Sequence, residues 1–139
     1  MAAIADGSNP DRRTPRRRAG DAAEARVATL LSRHGWVIVE RQLRVGRDEL
    51  DIVALDPGPP VMSVVVEVRS RRSARFGAQE ERLDEAKVRR LYRAMNVLRA
   101  SGWSAGVPAV PGGVGWRVDL VAIDEGSGTV RHLKGLIPR

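Results

Sequence analysis

Apolar residues recur along the chain at two spacings, which predict helices in two segments and strands in several others. In residues 21–34 one face carries apolar side chains at helical spacing, and Gly35 follows where a C-terminal cap is expected. A second helix is predicted from about residue 82 to residue 100 and ends before Gly102. Its apolar face carries Val88, Leu91, Met95 and Leu98.

Branched apolar residues between glycines, prolines and charges predict the strands. A first strand begins at Trp36, and the others cover residues 49–55, 62–69, 116–123 and, as a short edge strand, 129–133. The first three are predicted to form a meander, and the segments 70–81 and 102–115 are predicted loops. The order is α-β-β-β-α-β-β, so the expected fold class is α/β, a mixed β-sheet flanked by helices.

The chain has 139 residues, a length that suits one domain. It carries 24 Lys and Arg against 17 Asp and Glu, a formal net charge of +7. Because most of these cations are arginines and a guanidinium matches phosphate geometry, a nucleic-acid or other polyanionic partner is favoured. Compositional bias is the alternative explanation. Residues 1–18 are predicted to be a disordered basic N-terminal arm, followed by a single domain at 19–139.

Several classes of function are excluded by composition. The chain has no cysteine, which rules out disulfides, thiolate zinc sites and thiol catalysis. No stretch reaches the roughly 18 apolar residues of a membrane helix, and the N-terminal arginines are not followed by an apolar signal region. We therefore expect a cytoplasmic protein without a membrane partner. The sequence leaves the oligomeric state open, a homodimer included.

The hairpin predicted over residues 49–69 carries the main candidate chemistry. Strand alternation places Glu67 and Arg69 on one face of their strand, opposite the face of Val64, Val66 and Val68. If the chain turns at residues 56–60, Asp51, on the face of Val53, lies opposite Glu67. Two carboxylates at that range repel each other unless a cation compensates them, and their hard oxygens suit Mg²⁺ or Mn²⁺.

Each candidate acid also has a structural interpretation. Glu24 lies in the apolar stripe of the first helix, yet Asp21 and Glu24 also have the spacing of a capping box at that helix's N-terminus. Asp51 and Glu67 could be solvated edge residues, although a single hairpin brings both together. Glu49 lies at the strand entrance and could simply face solvent.

Arginines surround the candidate acids. Four follow Glu67 directly, and three lie on the predicted exposed face of the second helix. Contacts with nucleic-acid phosphates compete with a solvated helix face as the explanation, and phosphate contacts are favoured for the first group. The residues are Arg69, Arg71, Arg72 and Arg75 in the first group and Arg89, Arg90 and Arg93 in the second.

Five short stretches follow one another in the order and spacing of a known family. They are residues 20–24, 48–54, 65–71, 87–91 and 116–121. The corresponding family patterns are G-x-x-G-E-x-x-A, G-E-I-D-L-I-A, F-V-E-V-K-x-R, a helix that begins near a lysine, and R-F-D-V-V. Over about residues 19–134 the chain resembles the YraN-like family of small bacterial proteins, which is related to restriction-endonuclease and Holliday-junction-resolvase folds.

This resemblance implies a restriction-endonuclease-like domain with a nuclease site. Glu24, Asp51 and Glu67 would be the metal ligands for Mg²⁺ or Mn²⁺, and Arg69 stands where the catalytic lysine usually is. Arginine can stabilise phosphate charge, but it is not deprotonated in proteins and is bulkier than an ammonium. Lys87 or Lys134 could supply the ammonium, although the sequence places neither at the site.

Two functions follow from this resemblance. The first is a metal-dependent endonuclease that hydrolyses DNA phosphodiester bonds, with Glu24, Asp51, Glu67 and Arg69 as catalytic residues. The second is a non-catalytic nucleic-acid-binding or partner-docking protein that retains the nuclease fold, since a fold does not determine a function. The arginine at position 69 is the sequence feature that separates the two.

Overall fold

The computed structural model of the chain describes residues 14–71, 83–103 and 114–139. The helices are α1 (Pro15–Arg33) and α2 (Glu85–Ala100). The strands are β1 (Val37–Val45), β2 (Asp48–Asp56), β3 (Met62–Arg71), β4 (Gly115–Asp124) and β5 (Val130–Leu133). The predicted order α-β-β-β-α-β-β is confirmed.

The five strands form one mixed sheet in the order β1-β2-β3-β4-β5. Strands β1, β2 and β3 pair antiparallel, as the predicted meander requires. Strand β4 runs parallel to β3, because the chain crosses over through α2, and β5 returns antiparallel at the edge. The predicted α/β class with a mixed sheet is therefore confirmed.

Helix α1 begins earlier than its apolar spacing predicts. The Thr14 side chain accepts a hydrogen bond from the backbone N–H of Arg17, and Pro15 occupies the first helical position. Residues 15–18, predicted to belong to the basic arm, are thus helical, while residues 1–13 lie outside the described residues. Because the cap is Thr14, Asp21 and Glu24 lie well inside the helix, and the capping-box interpretation of Glu24 is wrong.

The sheet has an apolar layer on each face. The layer under α1 includes Val27, Trp36, Ile52, Val64, Val66 and Val121, and the layer under α2 includes Leu50, Val53, Val65, Leu91, Met95 and Val118. The alternation of valines along β3 is therefore as predicted, with Val64 and Val66 on one face and Val65 on the other. No helix among the described residues is long and apolar enough to cross a membrane.

Asp119 is fully buried and ties β4 to the C-terminal segment. Its carboxylate accepts hydrogen bonds from Arg117 Nε at 2.8 Å and from the backbone N–H of Gly135 at 3.0 Å, and it lies 2.8 Å from His132 Nε2. Burial raises the pKa of Asp119, but the hydrogen bonds from His132, Arg117 and Gly135 outweigh it and hold the pKa below its ordinary value. This network is a structural anchor for the segment after β5.

Candidate functional site

The β2–β3 hairpin brings Asp51 and Glu67 together in the predicted register. Ile52 pairs with Val66, so the next residues along the two strands, Asp51 and Glu67, face each other. The backbone N–H of Val68 donates a hydrogen bond to Asp51 Oδ2 at 2.8 Å. The hairpin thus fixes one carboxylate oxygen of Asp51 and leaves the other directed toward its neighbours.

The even alternation of β2 breaks at Asp51. Leu50 packs with Val53 in the layer under α2, whereas Ile52 packs in the layer under α1, so strict alternation cannot hold on both sides of Asp51. In the β1–β2 register the residue opposite Asp51 is Gln42, whose φ is +51°. The irregularity places Asp51 where it interacts with acids from both layers, rather than with the layer of Val53 alone.

Glu24 approaches Asp51 from the layer of α1. Its side chain is only 8% exposed, and Oε1 has no hydrogen-bond partner among the described residues. Burial raises the pKa of Glu24 to about 7, and the negative charges of Asp51 and Asp21 act in the same direction. The charge of Arg41 and a hydrogen bond from the Gln42 side chain lower it in part.

Glu67 approaches Asp51 from the layer of α2 and is 7% exposed. Burial raises its pKa to about 8, and the charge of Asp51 and a side-chain hydrogen bond with Asp51 add to the effect. Near neutral pH, Glu67 therefore holds a proton that it donates to Asp51. We call Glu24, Asp51 and Glu67 the acid cluster.

Two cations lie beside the acid cluster. Lys87, in the first turn of α2, places Nζ at 3.5 Å from Glu67 Oε2, an ion-pair distance, while that oxygen has no hydrogen bond within the described part of the chain. Arg69 lowers the pKa of Glu67 through its charge, after the larger effect of Lys87. The structure thus brings a lysine to the cluster from α2. Position 69, where the resembled family carries a lysine, holds an arginine in this chain.

The donor set of the acid cluster fits a hard divalent cation. It consists of carboxylate oxygens, and Glu24 Oε1 and Glu67 Oε2 are buried without a hydrogen bond from any residue that the structure describes. As the side chains stand, no three Asp, Glu, His or Cys residues within 14–71, 83–103 and 114–139 are spaced to hold one metal ion. A shared cation would therefore require side-chain rotations in the cluster.

The arginines predicted to bind nucleic acid have different environments. Arg93 donates hydrogen bonds to both carboxylate oxygens of Asp48 at 3.1 Å, and Arg89 pairs with Glu85 at 3.8 Å. Arg90 is exposed and has no ion pair within the described residues. Arg71 ends β3, whereas Arg72 and Arg75 lie outside the described residues.

Three further residues reach the site without having been assigned to it from the sequence. Lys87 comes from α2, and Arg41 and Gln42 come from the irregular part of β1. Spacing relative to the acids gives no signal for them, since their placement depends on helix packing and on a backbone distortion. The motif that begins at Lys87 was the one available indication for that lysine.

Comparison with known proteins assigns the chain to a family. Residues 23–123 match the model of the uncharacterised protein family UPF0102. A UPF0102 protein of Symbiobacterium thermophilum is 34% identical over 110 residues, which cover 79% of this chain and 85% of that protein. A UPF0102 protein of Arthrobacter sp. is 36% identical over 124 residues, which cover 84% of this chain and 93% of the other.

Among solved structures, that of Pyrococcus furiosus SfsA in complex with Ca²⁺ is 18% identical, with a TM-score of 0.34. The alignment covers 86% of this chain and 64% of that one, and the likeness is too distant to bear on function. The matched residues include four of the five motifs and the end of the first. The chain belongs to the UPF0102 (YraN-like) family, within the restriction-endonuclease-like superfamily.

Proposed function

We propose that the protein is a nuclease-like, nucleic-acid-binding protein whose acid cluster binds Mg²⁺ or Mn²⁺ and hydrolyses DNA phosphodiester bonds. One observation carries the proposal. Three carboxylates from α1, β2 and β3 converge, and two of them keep a buried oxygen that no described residue hydrogen-bonds. Such groups are costly in a folded protein unless they serve a ligand or a reaction.

The electrostatics of the acid cluster support a cation site. Burial and mutual repulsion raise the pKa of Glu24 to about 7 and that of Glu67 to about 8. A cation among the three carboxylates would relieve that repulsion, and carboxylates with water are the usual ligands of Mg²⁺. A divalent cation bound there would polarise the scissile phosphate and lower the pKa of an attacking water.

The cations beside the cluster have complementary roles in this proposal. Arg69 presents a guanidinium on the face of Glu67, where it can bind a phosphate oxygen in a bidentate manner. Lys87 presents a compact ammonium close to Glu67, where it can stabilise negative charge that develops on the phosphate. Lys87 would thus place a compact positive charge at the site, next to the broader, planar positive charge of Arg69.

The charge of the chain supports a nucleic-acid substrate. The formal net charge is +7, and α1, β1 and α2 all carry arginines, of which Arg41 acts on the acid cluster. Membership of the restriction-endonuclease-like superfamily favours DNA over other polyanions. The proposed reaction is therefore metal-assisted hydrolysis of a DNA strand held by its phosphates.

A cleavage assay tests the proposal. Branched, duplex and single-stranded DNA are incubated with the protein in Mg²⁺, Mn²⁺ or EDTA, and binding to the same substrates is measured in parallel. We expect cleavage that requires the metal and that Asp51→Asn lowers by at least about 100-fold. Sedimentation in the same buffers tells whether a monomer or a homodimer is the active form.

The matched control is Glu49→Gln. Glu49 lies on the same strand, but it pairs with Arg44 at 3.8 Å and with Arg17 at 4.0 Å rather than with the acid cluster. Its substitution should leave cleavage within a few-fold of the wild type. Equal losses in both variants would point to a general effect of charge and would contradict the proposed site.

A non-catalytic nucleic-acid-binding protein is the second candidate. Two observations favour it: Arg69 stands in the position of the catalytic lysine, and the acid cluster is not spaced for a metal among the described residues. This function predicts DNA binding without cleavage in any metal. It also predicts that Asp51→Asn strengthens binding in EDTA, because it removes negative charge that repels phosphate.

A further inference from the structure

A cleft beside the acid cluster lies between the first half of α1 and the irregular part of β1. Its volume is about 460 Å³, and it is lined by Arg18, Asp21, Ala22, Arg41 and Gln42. Arg41 and Gln42 both act on the carboxylate of Glu24, so one wall of the cleft continues into the acid cluster. We call it the α1–β1 cleft.

The charges that line this cleft suit an anion. Arg41 is exposed and has no hydrogen bond or ion pair with any described residue, yet its charge is felt by Glu24. Arg18 lies on the opposite wall, one turn of α1 before Asp21. The acid of the cleft, Asp21, accepts a hydrogen bond from Gln42 Nε2 at 2.8 Å. Two arginines and one carboxylate therefore line the cleft, which gives its wall a net positive charge.

The backbone of β1 is distorted to form this wall. Gln42 has a φ of +51° and is the one residue other than glycine with a positive φ in the described part of the chain. A side chain in this conformation is unfavourable and persists where the surroundings fix it, often at functional sites. In this case the distortion directs the Gln42 amide toward Asp21 and Glu24, while Gln42 itself lies opposite Asp51 on β2.

We propose that the α1–β1 cleft is a phosphate subsite. It would bind a phosphodiester group of the same nucleic-acid strand, adjacent to the one at the acid cluster. Arg41 and Arg18 bind its non-bridging oxygens, since a guanidinium donates parallel hydrogen bonds to phosphate. The choice of nucleic acid as the ligand rests on the proposed function, and a free phosphate ion shares the same chemistry.

The experiment measures binding in EDTA, which separates it from cleavage. Fluorescence anisotropy of a labelled DNA duplex is recorded over a range of salt for the wild type, Arg41→Met and Arg18→Met. The matched control is Arg33→Met, because Arg33 is an exposed arginine in the last turn of the same helix. Competition with inorganic phosphate distinguishes a subsite for the free ion from one for a nucleic-acid strand, and circular dichroism verifies that each variant is folded.

We expect Arg41→Met and Arg18→Met each to weaken duplex binding by about tenfold and to reduce the slope of log K against log[salt] by about 0.9. Arg33→Met should behave as the wild type, and millimolar inorganic phosphate should not displace the duplex. Displacement by phosphate at that concentration would overturn the assignment to a nucleic-acid strand.

The remaining outcomes separate this subsite from the proposed function. Wild-type affinity and salt slope in both cleft variants would overturn the subsite, while DNA binding elsewhere would still support the proposed function. DNA binding that depends on Arg41 and Arg18, in a protein without cleavage, would support the subsite and contradict the hydrolytic function. A wild-type protein that binds no DNA would overturn both.

Discussion

Lys87 Nζ lies 3.5 Å from Glu67 Oε2, so the first turn of α2 delivers a cation to a buried carboxylate on β3. Of the two cations that lower the pKa of Glu67, Lys87 has the larger effect and Arg69 the smaller. Arg69, two residues after Glu67 on β3, is thus not the cation with the larger effect on the pKa of Glu67. A site with arginine at position 69 can still have an ammonium next to its carboxylates.

The first prediction concerns Lys87. Lys87→Met should raise the pKa of Glu67 above its value of about 8 and lower metal-dependent cleavage by about 100-fold, because the charge beside the carboxylate is lost. Carboxyl NMR titration and single-turnover cleavage measure the two effects. Arg99→Met, on the same helix, is the control, since Arg99 is exposed and lies about three turns after Lys87. A cleavage rate for Lys87→Met like that of the control would remove Lys87 from the mechanism.

The second prediction concerns stability against pH in EDTA. The pKa of Glu67 is raised from 4.5 to about 8 by folding, so the folded state retains a proton that the unfolded chain loses. This contribution is fully present below pH 4.5 and is lost as the pH rises through about 8, so the free energy of unfolding should fall over that range. Glu67→Gln should remove the part of this fall that belongs to Glu67, a gain on the order of 4 kcal/mol at pH 8, and leave the smaller part that belongs to Glu24, whose pKa is raised to about 7.

Urea unfolding at several pH values checks this prediction. Glu40→Gln is a suitable control, since Glu40 is an exposed glutamate on β1. Its free energy of unfolding should follow the wild type at every pH. If the curve for Glu67→Gln also runs parallel to the wild type from pH 4.5 to 8, the proton on Glu67 is not retained by folding.

The third prediction concerns Gln42. Gln42→Gly should raise the free energy of unfolding by about 1 kcal/mol, because glycine tolerates the positive φ, and it should also raise the pKa of Glu24 through loss of a hydrogen bond. Asparagine tolerates a positive φ better than glutamine but has a shorter side chain. The free energy of unfolding of Gln42→Asn should therefore lie between those of the wild type and Gln42→Gly. Urea unfolding and NMR titration measure these effects. A lower free energy of unfolding for Gln42→Gly would mean that the hydrogen bond of the Gln42 amide stabilises the fold by more than the positive φ costs, which would contradict the prediction.

The fourth prediction concerns the buried Asp119. Asp119→Asn should lower the free energy of unfolding by about 3 kcal/mol, because Arg117 loses its ion pair with the buried Asp119 and keeps only the one with Asp56. Asp124→Asn is the control, since Asp124 accepts hydrogen bonds from the backbone N–H groups of Gly126 and Ser127, which asparagine can also do. Similar losses in the two variants would contradict the special role of Asp119.

The hairpin at the site was predictable because its signals are local. The valine alternation of β3 and the turn residues after Asp56 determine which residues face each other, and the observed pairing of Ile52 with Val66 follows from them. Glu24 could be placed on the buried face of α1 by helical spacing. The capping interpretation of Glu24 was wrong because Thr14 and Pro15, which are followed by three arginines in the sequence, start the helix earlier.

The rest of the site depends on interactions that sequence spacing does not encode. Lys87 reaches Glu67 because α2 packs across the sheet, and that packing depends on residues far away in the chain. Gln42 adopts a positive φ, although glutamine, unlike glycine or asparagine, gives no sign of one. The break in the alternation of β2 lies opposite this distortion, so the position of Asp51 between the two layers could not be read from β2 alone.

The central claim is that Glu24, Asp51 and Glu67 share one divalent cation, and Mn²⁺ located by its anomalous scattering in crystals tests it most directly. We expect one peak among the three carboxylates, with oxygens from each at about 2.1 Å, and no peak in crystals of Asp51→Asn. The crystals are soaked in Mn²⁺ above pH 8, where both Glu24 and Glu67 are mostly ionised. A peak only at other acids, such as Asp48 or Glu49, or no peak at all, would contradict the account.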